Sequence, residues 1–437
     1  MAKGQKIDVI VVGAGPSGIA CALTASRGGL KTVVIEKASK FGVKNMYGGA
    51  VYLESIKELF PETYKNFPYE RFLKNYNYVI LNDENSLSVS YTNNGNKLNA
   101  ATITRFAFDT FLANEAKKEG VYFAPDTLAV DLIIKDGKIK GVKTELEEIF
   151  SDAVVLAEGF NSYLLNKAGL KKKTKPKNAI LGIKETIKLN REIIEQRFQL
   201  KDNEGAMYEF FGGLNKEDED APLGMGFLYT FKNTVSIGVG IGMECLKNNG
   251  IKPEEYLDRL KNNSFIAPLI EGGELVEYSA HSIPEGGYNE LPKLYGNGYL
   301  IVGDAANLVD SVHFEGTNLA IKSGILAGET LVEAFNKKDF SKKTLKNYKK
   351  KLFKSFVTDD LKTYRNVIKT LYDRRNSVFS YYPEKIDEFM KIFTTADNKG
   401  KKRGYRKFLF SFLKERSLLV TAGDIISFIK CALEAVI

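Results

Sequence analysis

The first forty residues constrain the fold more tightly than any other part of the chain. Ile7 to Val12 is a continuous apolar, largely β-branched run, the pattern of a parallel strand buried on both faces. It breaks at Gly13-Ala14-Gly15-Pro16-Ser17-Gly18. Gly13 permits a tight turn, Gly15 lets the backbone approach a pyrophosphate, and Gly18 lets the next helix pack closely on the strand, with phosphates at that helix's positive N-terminus. A second apolar run, Thr32 to Ile35, ends in Glu36. An acid about 20 residues past the glycines stands where the ribose hydroxyl of an adenosine half is held. Strand, glycines, helix, strand and acid in this order predict a dinucleotide-binding unit. FAD and NAD both use it, so the choice between them comes from elsewhere.

That choice rests on a second element. Tyr299 to Val302 is another buried apolar strand, ending in Gly303 and Asp304, about 290 residues beyond the first glycines. An extended flavin dinucleotide needs a phosphate and ribityl contact from a separate part of its domain, and aspartate at a strand end can accept a ribityl hydroxyl. The following helix begins near Gly316, Thr317 and Asn318, and its first-turn N–H groups can face the pyrimidine edge of a flavin. His313 lies between Asp310 and Glu315 in the approach to that turn. Two roles fit it: tuning the flavin or relaying a proton, and fixing the loop by hydrogen bonds. No Gly-x-Ser-x-Gly elbow, HExxH pair or Cys/His nucleophile pair is present, which favours electron transfer over hydrolysis.

Composition narrows the class further. The 437-residue chain carries a formal charge of +9, clustered in stretches such as Lys171 to Lys177 and Asn398 to Lys407. Nucleic acid, an anionic membrane surface and an acidic protein each suit such a balance; no nucleic-acid motif accompanies it. Three cysteines, far apart, fall short of the four thiolates of an iron–sulfur cluster, and two histidines make a closed zinc site improbable. No signal peptide and no run of roughly 20 apolar residues is visible, so the expected location is cytoplasmic, with peripheral contact on the membrane face. That contact is suggested by the tail, where Ile425, Phe428, Ile429, Ala432, Leu433 and Val436 share one helical face opposite Asp424, Ser427 and Glu434. Packing on its own domain or on a partner subunit is the alternative, and commoner, fate of such a helix.

The segment AHSIPEGGYNELPKLYGNGYLIVGDAANLVDSVHFEGTNLAIKSGILAGE, together with GAGPSG and KNMYGG (Lys44 to Gly49), resembles the FixC flavoproteins of the electron-transfer flavoprotein:quinone oxidoreductase family. More distantly it resembles geranylgeranyl reductases and hydroxybenzoate-hydroxylase-like flavoenzymes. The resemblance runs through about residues 5 to 335, and beyond about 345 only the outline is familiar. It implies FAD as cofactor, with Lys44, Gly48 and Gly49 at the flavin. It also implies that Arg105, in ITRFAFDTFLANEAKKEG, reaches the flavin phosphates. VVLAEGFNS matches a third strand-to-glycine turn ending in Gly159, where the family's Asp-Gly is here Glu158-Gly159, which puts a direct contact from Glu158 in doubt. The quinone-oxidoreductase relatives carry their cluster on the same chain, whereas FixC proteins work with a separate ferredoxin-like FixX and a two-subunit electron-transfer flavoprotein, FixA and FixB. The cysteine count selects the second branch. The implied path runs from that flavoprotein through FAD to quinone, and complexes of this kind can bifurcate electrons from NADH. A geranylgeranyl reductase acting on isoprenoid double bonds is the alternative, but that family's cysteine near the paired glycines is replaced by Met46 and Tyr47, and the chain has no Trp.

The expected fold is α/β: a discontinuous Rossmann-like FAD-binding domain with a parallel sheet (residues 1–75, 100–170 and 280–345), an inserted β-rich substrate domain (76–99 and 171–279) roofing the flavin, and a C-terminal helical region (346–437). A quinone is expected between roof and flavin, since domain junctions favour apolar pockets.

Overall fold

A computed structural model describes residues 6–43, 46–95, 99–216, 219–396, 398 and 400–436. These fall into two units. The first comprises Met1–Glu70, Lys97–Ala179 and His281–Arg365, and the second Arg71–Asn96, Ile180–Ala280 and Asn366–Ile437. Residues 346–365 therefore group with the first unit and the rest of the tail with the second.

The first unit is built around β1 (Ile7–Val12), every residue of which after Ile7 is buried. β1 pairs in parallel with β2 (Thr32–Ile35) on one side, and β2 in turn with β3 (Tyr122–Ala124). On the other side it pairs in parallel with β4 (Glu148–Leu156), which pairs with β6 (Tyr299–Ile301); β5 (Tyr295–Gly296) closes that edge antiparallel to β6. The register sets Val12 beside Ile35 and Leu156, and Leu156 beside Ile301. With Ala124 of β3 beside Ile35, five parallel strands end level, and β1, β2, β4 and β6 lead into four loops at that edge. Their carboxyl ends are where open α/β sheets bind ligands.

α1 (Pro16–Arg27) is covered on nearly all sides: nine of its residues are buried. α2 (Arg105–Lys118) is capped by Thr104, whose hydroxyl accepts from the Ala107 N–H. α3 (Tyr163–Lys167) follows β4, and α4 (Thr317–Asn336) crosses α1. The crossing depends on Gly324 and Gly328, one turn apart. A Cβ on Gly324 would stand 2.3 Å from the Ser17 carbonyl oxygen and 2.9 Å from the Ala20 Cβ, and one on Gly328 would meet Thr24 and the Cys21 carbonyl.

The second unit holds an antiparallel run of strands, Ala179–Lys188, Thr234–Gly242, Gly224–Thr230 and Glu204–Gly212, then Arg71–Leu81 parallel to the last and Ser86–Thr92 on its edge. One face packs Ile183, Phe210, Leu228 and Ile237 against Tyr256, Leu257 and Leu260 of the helix Pro253–Asn262. Its last helices are α5 (Tyr382–Thr394), α6 (Lys401–Glu415) and α7 (Leu418–Val436). In α7 the polar face points inward. Buried Asp424 meets Arg374 at 3.2 Å and Arg416 at 2.6 Å and accepts from the Tyr382 hydroxyl at 2.9 Å, while Glu434 accepts from Asn366 at 2.7 Å. Leu419, Ile425, Ile426, Ile429 and Leu433 are exposed, Leu419 to 85%. The periodicity was legible in the sequence, but packing on its own unit is achieved by the polar side.

Candidate cofactor site

The level strand ends deliver four loops to one edge of the first unit. After β1, Gly13 takes φ +107°, and an added Cβ would lie 2.3 Å from the Ala157 carbonyl oxygen. An added Cβ on Gly18 would lie 2.0 Å from the Gly13 oxygen, so Gly13 and Gly18 are fixed by packing. Gly15 differs: as the residue before α1 it has no side-chain cap, φ is −76°, and nothing lies within 4 Å of an added Cβ. The helix N-terminus opens onto space here. After β2, Glu36 accepts from the Ala14 N–H at 2.9 Å through Oε2 and from the Ala38 N–H at 2.8 Å through Oε1, which ties the acid to the glycine turn.

After β4, Glu158 turns away from this edge. Its carboxylate accepts from the N–H groups of Leu164 and Leu165 at 2.7 and 3.1 Å, capping α3. Burial pushes the carboxyl up, and those two amides pull it back. The extra methylene relative to aspartate gives it that reach. Gly159 follows with φ +67° and open space around it. After β6, Gly303 takes φ +62°, and a Cβ there would lie 2.5 Å from Ser17 Oγ, so its first duty is to pack on α1 rather than to admit a ligand. Asp304 opens a short 3₁₀ turn, Gly303–Ala306. Burial raises its carboxyl above the ordinary range, while His281, Arg105 and Lys171 pull it back.

Arg105, the first residue of α2, is held by buried Asp109 at 2.7 Å, with its guanidinium 5.5 Å above the Tyr47 ring. Among the described residues its buried Nε has no hydrogen-bond partner. Tyr47 donates to the Ile103 carbonyl, and Gly49 accepts from the Ile103 N–H at 3.0 Å, so the Met46–Gly49 segment runs beside Arg105. Gly49 takes φ +151° and Gly48 precedes it without a helical or strand assignment. Lys44 lies outside the described residues.

Gly316 precedes α4 without a side-chain cap, leaving the N–H groups of Thr317 and Asn318 without helical partners. Asn318 is committed through its side chain: Oδ1 accepts from the Ser55 N–H and Nδ2 donates to Glu315, both at 3.2 Å. Just upstream, His313 Nδ1 lies 2.8 Å from Asp310 Oδ2. Asp310 is buried, and its other oxygen accepts from the Val312 and His313 amides. The imidazole is 47% exposed and stands edge-on to Tyr364, centroids 4.8 Å apart. Nδ1 is thus anchored and Nε2 is left to face outward. Phe314 next to it takes φ +55° with its ring exposed, a conformation uncommon for an aromatic residue.

Three site residues carried no signal in the sequence. Lys171, in the lysine run, is buried and donates to Asn307 Oδ1 at 2.9 Å and to Ser162 Oγ at 3.4 Å. His281 is shifted down by burial, with Asp304 opposing and Arg105 and Lys37 assisting. Glu285 is pushed up to about 8 by burial and by Asp310, and its Oε2 has no hydrogen-bond partner among the described residues. His281 comes in on the strand Glu274–Pro284 and Lys171 and Glu285 in loops, all distant in sequence from the glycine turn, so no spacing marks them.

Three features fit a bound flavin dinucleotide. The space at Gly15 admits a pyrophosphate, the Arg105 Nε is an orphaned donor, and the Asp304 carboxylate accepts no hydrogen bond among the described residues.

Comparison with known proteins bears on the same regions. Residues 8–160 match the FAD dependent oxidoreductase family, and residues 368–433 match the ETF-QO/FixC family C-terminal domain. The chain is 36% identical over 431 residues to Protein FixC of Azorhizobium caulinodans, covering 97% of this chain and 98% of that protein. It is 38% identical over 430 residues to Protein FixC of Azotobacter vinelandii, covering 97% and 98%. Among solved structures, a geranylgeranyl bacteriochlorophyll reductase-like protein from Thermoplasma acidophilum superposes with TM-score 0.72 at 22% identity, covering 94% of this chain and 98% of that one. A flavin-dependent brominase superposes with TM-score 0.64 at 15% identity, covering 94% and 100%. These two likenesses concern the fold.

Proposed function

Since the chain belongs to the FixC family of FAD-dependent oxidoreductases, we propose that it passes electrons from a FixA/FixB-like electron-transfer flavoprotein to a quinone, with a separate ferredoxin-like FixX as partner. The observation that carries this reading is the row of level strand ends, with Gly15, Glu36, Gly159 and Asp304 in the loops that follow four of them. Three cysteines leave the chain without a cluster of its own, which is why a separate ferredoxin is invoked.

Bound FAD supplies the electron chemistry, accepting and releasing electrons one or two at a time. The chain's residues supply position and charge. The open N-terminus of α1 receives the pyrophosphate, with Gly13 and Gly18 holding the turn in shape and Arg105 adding its orphaned donor. Glu36 exchanges one of its amide bonds for a ribose hydroxyl. Asp304 accepts a ribityl hydroxyl. The first-turn amides of Thr317 and Asn318 favour negative charge on the pyrimidine edge, with Gly48, Gly49 and Lys44 on the approach to the ring. Reduction of a quinone consumes two protons as well as two electrons. His313, its ring fixed through Nδ1 by Asp310, would relay those protons through Nε2.

Quinones reside in bilayers, and the outward apolar face of α7 supports peripheral contact with the cytoplasmic membrane face. Lys401, Lys402, Arg403, Arg406 and Lys407 at the start of α6 are exposed, a run of positive charge of the kind anionic headgroups attract. No helix among the described residues is long and apolar enough to cross a membrane.

The test is an anaerobic titration of the flavin spectrum with reduced electron-transfer flavoprotein, then a short-chain quinone. Bleaching followed by quinone-dependent return is the expected result. A spectrum indifferent to both partners overturns the reading.

A further inference from the structure

Lys171 is 8% exposed, whereas Lys172 and Lys173 beside it are exposed. Its ammonium reaches from the segment after α3 to Asn307 Oδ1 at 2.9 Å and Ser162 Oγ at 3.4 Å, joining the loop after β4 to the turn after β6. Asn307 is fixed in turn: it sits in a left-handed conformation, φ +59°, and its Nδ2 donates to the Glu290 carbonyl. Both partners of the ammonium are neutral. The charged groups facing it are Asp304 and Glu158, and Glu158 is already committed to the amides of α3. Around Asp304 stand His281 and Arg105 as well, and Lys37 faces Glu158 and His281.

A buried ammonium whose direct acceptors are both neutral is costly to keep charged. The pyrophosphate of a dinucleotide would add its negative charge to that of Asp304 and Glu158. We propose that Lys171 is a positioning cation for the cofactor, and that its proton is a condition for tight retention of FAD, so that the hold on the flavin is lost as the solution turns alkaline. The inference rests on the reading that FAD lies along the strand ends.

Burial brings the Lys171 ammonium down to about 8, with Asp304 and Glu158 pulling the other way. An added anion raises it again, so binding above that pH takes up a proton. Affinity then falls as pH rises, by up to roughly tenfold per pH unit until the bound-state value is passed. Arginine stays charged throughout, so Lys171→Arg separates Lys171 from Asp304, Glu158 and His281.

The experiment uses the full-length holoprotein. Released FAD is measured by fluorescence after ultrafiltration from pH about 7 to about 9.5, the window in which the two states differ in proton binding. The expected result is a steep loss of affinity above about 8 in the unaltered chain, a flat profile in Lys171→Arg, and weak, flat retention in Lys171→Met. A flat profile in the unaltered chain, or the same slope in either variant, overturns the proposal. If the guanidinium does not fit, Lys171→Met carries the comparison. Gly15→Val separates the two readings. Full FAD retention by that variant displaces the seat itself, while its release of FAD alongside a flat wild-type profile refutes Lys171 alone.

Discussion

Replacing Gly324 and Gly15 by alanine adds the same methyl group to two places with opposite surroundings. At Gly324 the new Cβ meets the Ser17 carbonyl oxygen at 2.3 Å and the Cys21 amide nitrogen at 3.0 Å. Ordinary contact begins at 3.4 Å, so α4 must back away from α1 by about 1 Å, because neither neighbour is a side chain that can rotate. Overpacking of this kind costs about 3 kcal/mol, and the gain in helix propensity from glycine to alanine returns about 1 kcal/mol. The net expectation is a loss of about 2 kcal/mol. At Gly15 nothing lies within 4 Å and φ is −76°, so Gly15→Ala leaves stability within about 1 kcal/mol. Its methyl instead occupies the path of the pyrophosphate and weakens FAD at least tenfold. Denaturant unfolding of the flavin-stripped chains, with FAD binding followed by fluorescence quenching, reads both effects. A Gly324→Ala chain within about 0.5 kcal/mol of the parent, or a Gly15→Ala chain that binds FAD as before, refutes the reasoning.

Other expectations follow from the same geometry. Asp424→Ala leaves Arg374 and Arg416 without their shared buried partner and costs about 3 kcal/mol or more, read as early proteolysis of α7. Ile425→Ser with Ile429→Ser, both on the exposed face, leaves the melting temperature nearly unchanged and sharply reduces co-sedimentation with anionic vesicles; undiminished binding argues against a lipid-facing helix. Glu285 sits at about 8 in the folded chain, far above its unfolded value, so it favours folding at acid pH and loses that contribution as pH rises from about 4.5 through 8. Glu285→Gln should therefore flatten the stability profile in that window, and an unchanged profile counts against a protonated Glu285. Asp310→Asn weakens the anchor of the His313 ring, and kcat for quinone reduction should fall while the KM for quinone stays near that of the parent; an unchanged kcat removes His313 from proton delivery.

The glycine turn, β1, β2 and the final parallel strand were legible because each is specified by a local pattern: a β-branched run, then glycine, then an acid or aspartate. β6 ends at Ile301, one residue before the expected Val302. What the pattern could not carry is side-chain direction. Lys171 reads as a solvated member of a lysine run, and only the return of the chain at Asn307 buries it. Glu158 stands where an aspartate would face the cofactor, and one methylene sends it to α3 instead. The periodicity of α7 marked two faces without marking which is inward, since Arg374, Arg416 and Tyr382, which neutralise Asp424, come from elsewhere in the chain.

The interlock of Ser17 with Gly303 and of Ser17, Ala20 and Cys21 with Gly324 has a consequence for how the chain is made. The first strand and helix leave the ribosome about 300 residues before the helix that covers them. At roughly 5 to 20 residues per second, α1 waits about 15 to 60 seconds with its apolar face uncovered. No fragment that ends before α4 can complete this packing, so a seat that rests on it is finished only after synthesis has passed α4.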